Sequence, residues 1–170
     1  MVEKKYILTK EVADKKLRRM ALQVAEQNCD ADQLILIGIK ENGIVIAHKI
    51  RTYLQGVFSG EVFVVELSLN KKKPMLVSLD PAMDFNGKSI LLIDDVANSG
   101  RTMLYALKPL LETYPEKIQT LVLVERTHKS FPIDVDYVGL SISTALDEHI
   151  TVEVDSGEVK GAWVQAVPAI

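Results

Sequence analysis

Ile90 to Thr102 reads ILLIDDVANSGRT, and this stretch decides the fold. Ser89 to Ile93 is expected as a strand buried on both faces, because its apolar residues run on without alternation. Asp94 and Asp95 follow at once. Val96, Ala97, Asn98, Ser99 and Gly100 form a loop of mostly small residues, and Arg101 and Thr102 open a helix. Small side chains let backbone come close to a ligand, and glycine takes conformations that other residues avoid. Free N–H groups at a helix start, with the helix dipole, favour an anion. Ser99 and Thr102 add hydroxyl donors. Such a loop suits a phosphate monoester. Two carboxylates would repel a phosphate they touched. They are better placed to accept hydrogen bonds from two ribose hydroxyls, directly or through Mg²⁺. The plainer alternative is a turn started by two acids and a helix capped by Ser99. The position between a buried strand and a helix favours a ribose 5-phosphate site. Neither the G-x-x-x-x-G-K-[ST] spacing nor a nicotinamide fingerprint is present.

Working outward, Lys10 to Asn28 places Ala13, Leu17, Met20, Ala21 and Val24 at helical spacing. Leu34 to Ile39 (LILIGI) and Val62 to Leu69 (VFVVELSL) read as strands, with an amphipathic helix over Ile44 to Leu54 between them. Asn70 to Lys73 (NKKK) is turn-like, and Pro74 to Leu79 is a candidate hairpin partner. Asp80 to Lys88 reads as a loop, Thr102 to Thr113 as a helix and Gln119 to Val124 as a fourth strand. Short β-type runs follow at Tyr137 to Leu140, Ile150 to Val154 and Ala162 to Val167. Apolar strands alternating with amphipathic helices imply an α/β fold, a central parallel sheet flanked by helices. Ligands bind such sheets outside the carboxyl ends of the strands. That rule selects the loops after Ile39, Ile93 and Val124.

A chain of 170 residues suits one domain, here residues 1–170, and no repeat or linker divides it. With 48% hydrophobic and 25% charged residues it is expected to be globular rather than disordered. A net charge of -3 gives no strong field toward nucleic acid or membrane. No apolar run approaches the length of a membrane span. The lone Cys29 forms no internal disulfide and fits a reducing, cytoplasmic location. His48 and His149, the latter read as a loop residue, lack metal-ligand spacing.

ILLIDDVANSGRT resembles the motif by which type I phosphoribosyltransferases bind phosphoribosyl pyrophosphate (PRPP). Leu36 to Ala47 (LIGIKENGIVIA) resembles the strand, pyrophosphate loop and helix near the start of that fold. Arg126 to Gly139 (RTHKSFPIDVDYVG) resembles a segment of the bifunctional pyrimidine-operon attenuator and uracil phosphoribosyltransferase subfamily. The similarity runs from about Ile7 to Val154. It implies a type I phosphoribosyltransferase-like domain with a small flexible hood or hairpin, Asn70 to Lys73 falling at the hood.

The resemblance further implies that Asp94 and Asp95 bind the ribose hydroxyls and, indirectly, Mg²⁺, and act with Lys40 in catalysis. Ala97, Asn98, Ser99, Gly100, Arg101 and Thr102 would cradle the 5-phosphate. Lys40, Glu41, Asn42, Gly43 and Arg126 would meet pyrophosphate, although a surface ion pair is a rival role for Arg126. The partners implied are PRPP and a nucleobase or nucleoside monophosphate, in a homodimer or larger homo-oligomer. Three departures bear on turnover. The subfamily's K-T-R-G pyrophosphate loop is Lys40-Glu41-Asn42-Gly43 here, so an amide replaces a cation and an acid is added. Asn98 stands where purine enzymes carry an aspartate, and an amide is no general acid or base. The subfamily's hood, rich in Arg and Asp, is Ser68 to Lys73. A transferase acting on uracil or another pyrimidine is therefore expected. The competing expectations are a nucleotide-sensing regulator without turnover and an RNA-binding attenuator. The last rests only on Lys15, Lys16, Arg18 and Arg19, which read more simply as a solvated helix face.

Overall fold

A computed structural model describes residues 4–166. The chain runs β1 (Lys5–Thr9), α1 (Lys10–Gln27), β2 (Gln33–Ile39), α2 (Asn42–Leu54), β3 (Glu61–Leu69), β4 (Val77–Asp80) and β5 (Ser89–Ala97). It continues with α3 (Arg101–Ala106), α4 (Lys108–Leu111), β6 (Lys117–Arg126), β7 (Tyr137–Ile142), β8 (Glu148–Asp155) and β9 (Glu158–Ala166). The main sheet has the order β4-β3-β2-β5-β6-β7. All of its neighbours are parallel except β3 and β4, which form the expected hairpin.

Burial follows the two-residue period of the strands. Leu34 and Leu36 of β2 and Leu91 and Ile93 of β5 face one core, shared with Leu17, Met20, Ile46 and Ile50 of the first two helices. Ile35, Ile37, Ile90 and Leu92 face the other core, with Met103, Ala106 and Leu110. Both faces of the sheet are covered, which is why these strands lack polar alternation. α1 starts at Thr9, whose Oγ1 accepts from Val12 N at 3.3 Å, and buries Ala13, Leu17, Met20, Ala21 and Val24.

A second, three-stranded antiparallel sheet has the order β1-β9-β8. The chain's first strand thus joins its last hairpin. Of the late β-type runs, Tyr137 to Leu140 extends the main sheet as β7, and the other two form this second sheet. Val167 of the last run lies outside the described residues. Trp163 is buried in β9 with Tyr6 tilted against it at 5.9 Å.

Three boundaries differ from expectation. β5 does not stop at Ile93 but stays paired with β6 through Asp94, Val96 and Ala97, so the acid pair lies on a strand rather than in a loop. α2 begins at Asn42, two residues before Ile44, which puts Asn42 and Gly43 in its first turn. The helix expected over Thr102 to Thr113 is two short helices. Pro109 lacks the N–H that the Tyr105 carbonyl would receive, so the run is interrupted at Leu107 and restarts with Pro109 in the first turn of α4.

Candidate active site

The position of the site follows from strand order. β2 lies between β3 and β5, so the chain winds one way from β2 to β3 and the other way from β5 to β6 and β7. The crevice at such a reversal is where an open α/β sheet binds its ligand. The loop after Ile39 and the end of β5 flank it.

Gly43 lets the two sides meet. A Cβ there would stand 2.6 Å from Ile93 O and 3.1 Å from Asp94 Cα, so only glycine lets α2 begin this close to the strand. Asn42, one residue earlier, donates through Nδ2 to Asp95 Oδ2 at 2.8 Å and to Val152 O of β8 at 3.0 Å. One amide group therefore ties the acid pair to the second sheet. The Lys40–Glu41 peptide is cis. Lys40 N donates to Leu67 O at 2.8 Å, and its ammonium lies 3.8 Å from Glu66 Oε1.

Both acids are nearly inaccessible, Asp94 at 1% and Asp95 at 8%. Burial, and after it the charge of Asp95, pushes the Asp94 carboxyl well above its usual range. Lys71 opposes that shift from the β3–β4 tip. Each acid also accepts a backbone N–H at 2.9 Å, Asp94 from Asp95 and Asp95 from Val96.

The phosphate loop turns at Gly100, whose φ of 83° is left-handed and precedes Arg101 at the start of α3. Arg101 N donates to Ser99 Oγ at 3.3 Å. The loop is braced from behind: Ser130 N and Phe131 N both donate to Ser99 O at 3.0 Å. The Arg126 to Gly139 segment thus supports the loop through backbone atoms, while His128 itself is exposed.

These elements enclose a cleft of about 360 Å³. Its walls hold Asn42, Asp94, Asp95 and every residue from Ala97 to Thr102. A second cleft of about 340 Å³ is lined by Lys40, Glu41, Asn42 and the hairpin tip. The residues assigned from sequence to phosphate, ribose and pyrophosphate therefore converge, with Gly43 beneath them. Arg126 stands apart. It lines neither cleft, and its Nη2 donates to Glu148 O at the start of β8. A larger depression, about 730 Å³, lies at the amino ends of β2, β5 and β6 and holds none of the assigned residues.

Two features escaped sequence reasoning. His149, Ile150, Thr151 and Val152 line the first cleft from strand β8, so His149 is on a strand rather than in a loop. No local signal links a segment some fifty residues after the acid pair to that pair. Lys71 is the second, with its ammonium 3.6 Å from Asp94 Oδ1. Of the four basic residues of α1 read as a solvated face, two are bonded internally: Lys16 Nζ donates to Gly139 O and Arg19 Nη2 to Val138 O, each at 2.9 Å.

Among the described residues, no cluster of three or more His, Cys, Asp or Glu side chains forms a metal cage. The donor set fits Mg²⁺ only as an ion that takes most of its oxygens from a ligand and water, with Asp94 and Asp95 at its edge. No helix among the described residues is long and apolar enough to cross a membrane.

A phosphoribosyl transferase domain model matches residues 6–157. The chain is 36% identical over 157 residues to the Bifunctional protein PyrR of Ligilactobacillus salivarius, covering 85% of this chain and 87% of that protein. It is 32% identical over 166 residues to the PyrR of Bacillus cereus strain AH820, covering 91% and 92%. Among solved structures it superposes on the hypoxanthine phosphoribosyltransferase of Trypanosoma cruzi with a TM-score of 0.78 at 18% identity, covering 96% of this chain and 97% of that one. A hypoxanthine-guanine phosphoribosyltransferase of Bacillus anthracis gives 0.74 at 18% identity, covering 98% and 99%. Sequence likeness over most of the chain and a shared fold agree: this chain belongs to the type I phosphoribosyltransferase family, with PyrR proteins among its relatives.

Proposed function

We propose that the protein transfers the 5-phosphoribosyl group of PRPP to a pyrimidine base, with uracil the expected acceptor, and releases pyrophosphate. The observation that carries this reading is the joining, in one cleft, of the Asp94–Asp95 pair with the Asn98 to Thr102 loop. A ribose 5-phosphate needs acceptors for two hydroxyls and donors for a phosphate, and these are the groups present. The second cleft adjoins the first at Asn42 and offers Lys40 and the hairpin lysines to a diphosphate.

In the reaction, the bond from the anomeric carbon to the pyrophosphate oxygen breaks. A bond from that carbon to a ring nitrogen forms, and the nitrogen's proton leaves to solvent. Positive charge grows on the ribose and negative charge on the leaving group. The buried carboxylates face the first, and Lys40 and the tip lysines face the second. Mg²⁺ bound with PRPP would neutralise diphosphate charge. Asn98 neither gives nor takes a proton here, which suits a pyrimidine whose N–H is already acidic. We place this activity in the cytoplasm and in a homo-oligomer.

Incubating the folded protein with PRPP, Mg²⁺ and a panel of bases tests the reading. Pyrophosphate release with uracil, and none with hypoxanthine or guanine, is expected. Silence with every base would leave a second reading, a PRPP- or nucleotide-sensing protein without turnover. One observation favours that alternative: the Asn42 amide, where the subfamily carries a cation, is committed to Asp95 and Val152. Calorimetry with PRPP and UMP separates the two, since a sensor binds without releasing pyrophosphate.

A further inference from the structure

The two clefts meet at Lys71, which, like Asn42, lines both of them. Its ammonium stands 3.6 Å from Asp94 Oδ1 and 4.0 Å from Asp95 Oδ1. Its carbonyl accepts from Arg101 Nη2 at 3.4 Å, so the hairpin tip rests on an arginine of the phosphate loop itself. Asn70 Oδ1 closes the tip by accepting from Lys72 N at 3.0 Å and Lys73 N at 3.2 Å.

We infer that Lys71 is a specificity-determining gate. Its ammonium takes the place at the acid pair that ribose hydroxyls must occupy, and it divides the site into a monophosphate half and a diphosphate half. This rests on reading the site as one for PRPP.

Two adjacent carboxylates held away from water need a compensating cation. Lys71 supplies it, and its side chain is 46% exposed, so it can withdraw into solvent along its flexible stem. Asn42, the other shared wall, cannot withdraw without giving up two hydrogen bonds. The consequence is selective. Inorganic phosphate needs the donors of the Ser99 to Thr102 loop and no place at the acid pair. A ribose phosphate must evict it, and PRPP, which spans both halves, must also remove the partition between them. The affinity of any ribose ligand is then lowered by the fraction of molecules in which Lys71 is in place. Ribose 5-phosphate is the informative probe, because it carries the hydroxyls but no diphosphate for a lysine to attract.

The experiment is calorimetry at fixed Mg²⁺ on the wild type, Lys71→Met, Lys71→Gln and Lys71→Arg, each checked for folding by its thermal transition. We expect the Met and Gln variants to bind ribose 5-phosphate at least about threefold more tightly than the wild type, as release of a mostly closed gate requires. Lys71→Arg, which keeps the cation, should stay near the wild type. Inorganic phosphate should bind the Met and Gln variants no more tightly than the wild type. Equal binding of ribose 5-phosphate by the wild type and the neutral variants overturns the gate and leaves the PRPP reading intact. Weaker binding by the neutral variants also overturns it, making Lys71 a ligand contact instead. If no variant binds ribose 5-phosphate or PRPP, the PRPP reading fails and the gate falls with it.

Discussion

Asp94 carries a conflict between stability and function in a single side chain. Its carboxyl is buried at the end of β5 beside Asp95, and burial followed by that neighbour's charge raises its pKa well above the ordinary 3.8. An acid with a raised pKa in the folded state holds its proton more tightly there than when unfolded. Stability therefore falls as pH rises from the unfolded value through the folded one. Asp94→Asn removes the charge while its Oδ1 remains able to accept from Asp95 N. The variant should melt above the wild type at pH 8, and the difference should shrink toward nothing as pH falls below the ordinary 3.8, where the wild-type acid is protonated in both states. For a chain of this size each kcal/mol recovered raises Tm by about 2–4 °C. Scanning calorimetry across that range is the check, and a variant that melts below the wild type at pH 8 would refute the account. Pyrophosphate release should collapse in the same variant, because the ribose hydroxyls lose a charged acceptor. Active sites commonly trade stability for function in this way.

At the scale of elements, the site depends on how closely α2 starts against β5. Gly43→Ala places a methyl 2.6 Å from Ile93 O, which is backbone and cannot swing aside. The first turn of α2 must lift, taking the Asn42 bonds to Asp95 and Val152 with it. A loss of about 1–3 kcal/mol is expected, the usual cost of overpacking. It should appear as a lower urea midpoint at unchanged m, together with weakened PRPP binding. An unchanged midpoint would show that the helix start has slack. The same element shows what the sequence makes legible. The apolar runs of β2, β3, β5 and β6 were readable because burial on both faces leaves an uninterrupted signal. The acid pair and phosphate loop were readable because their chemistry is local, within Asp94 to Thr102. The start of α2 was not, because Glu41 and Asn42 offer no capping pattern; Glu41, the N-cap, makes no side-chain cap bond. The β8 wall was not, because it is placed at the cleft by its pairing with β9, which pairs in turn with β1. Lys71 reads from sequence equally as a hood lysine that neutralises pyrophosphate and as a solvated turn residue, and only the fold of the hairpin brings it to the acids.

For the whole molecule, the question is what holds the second sheet over the first. At one end β8 borders the cleft through His149 to Val152. Past its other end the chain turns into β9, where Glu158 is fastened to both long helices. Lys49 Nζ of α2 lies 2.7 Å from Glu158 Oε2 and 3.5 Å from Asp14 Oδ1 of α1, and Lys10 Nζ lies 3.8 Å from the same Glu158 oxygen. Tyr53 donates to Asp14 Oδ1 at 2.6 Å. Both carboxyls are held below their ordinary values of 3.8 and 4.5, Asp14 first by the Tyr53 hydroxyl and Glu158 first by its hydrogen bond from Lys49. Depressed acids contribute stability that is present above those ordinary values and is lost as pH falls through the lower folded ones. Acid should therefore loosen the β8–β9 hairpin while β2 and β5, held by apolar burial, stay closed. Hydrogen exchange is expected to show this as protection lost first in β8 and β9 on acidification. Lys49→Met removes the shared cation, whose side chain is only 16% exposed. It should produce the same loosening already at pH 7, with little further change on acidification. Because the β8 wall borders the ribose cleft, that variant should also raise the KM for PRPP more than it lowers kcat. If its hairpin amides exchange at pH 7 as slowly as those of the wild type, the ion cluster does not hold the second sheet. The hairpin would then be fixed by the Asn42 bridge, the β1 pairing and the burial of Ile150, Val152, Ala162 and Val164 in the core.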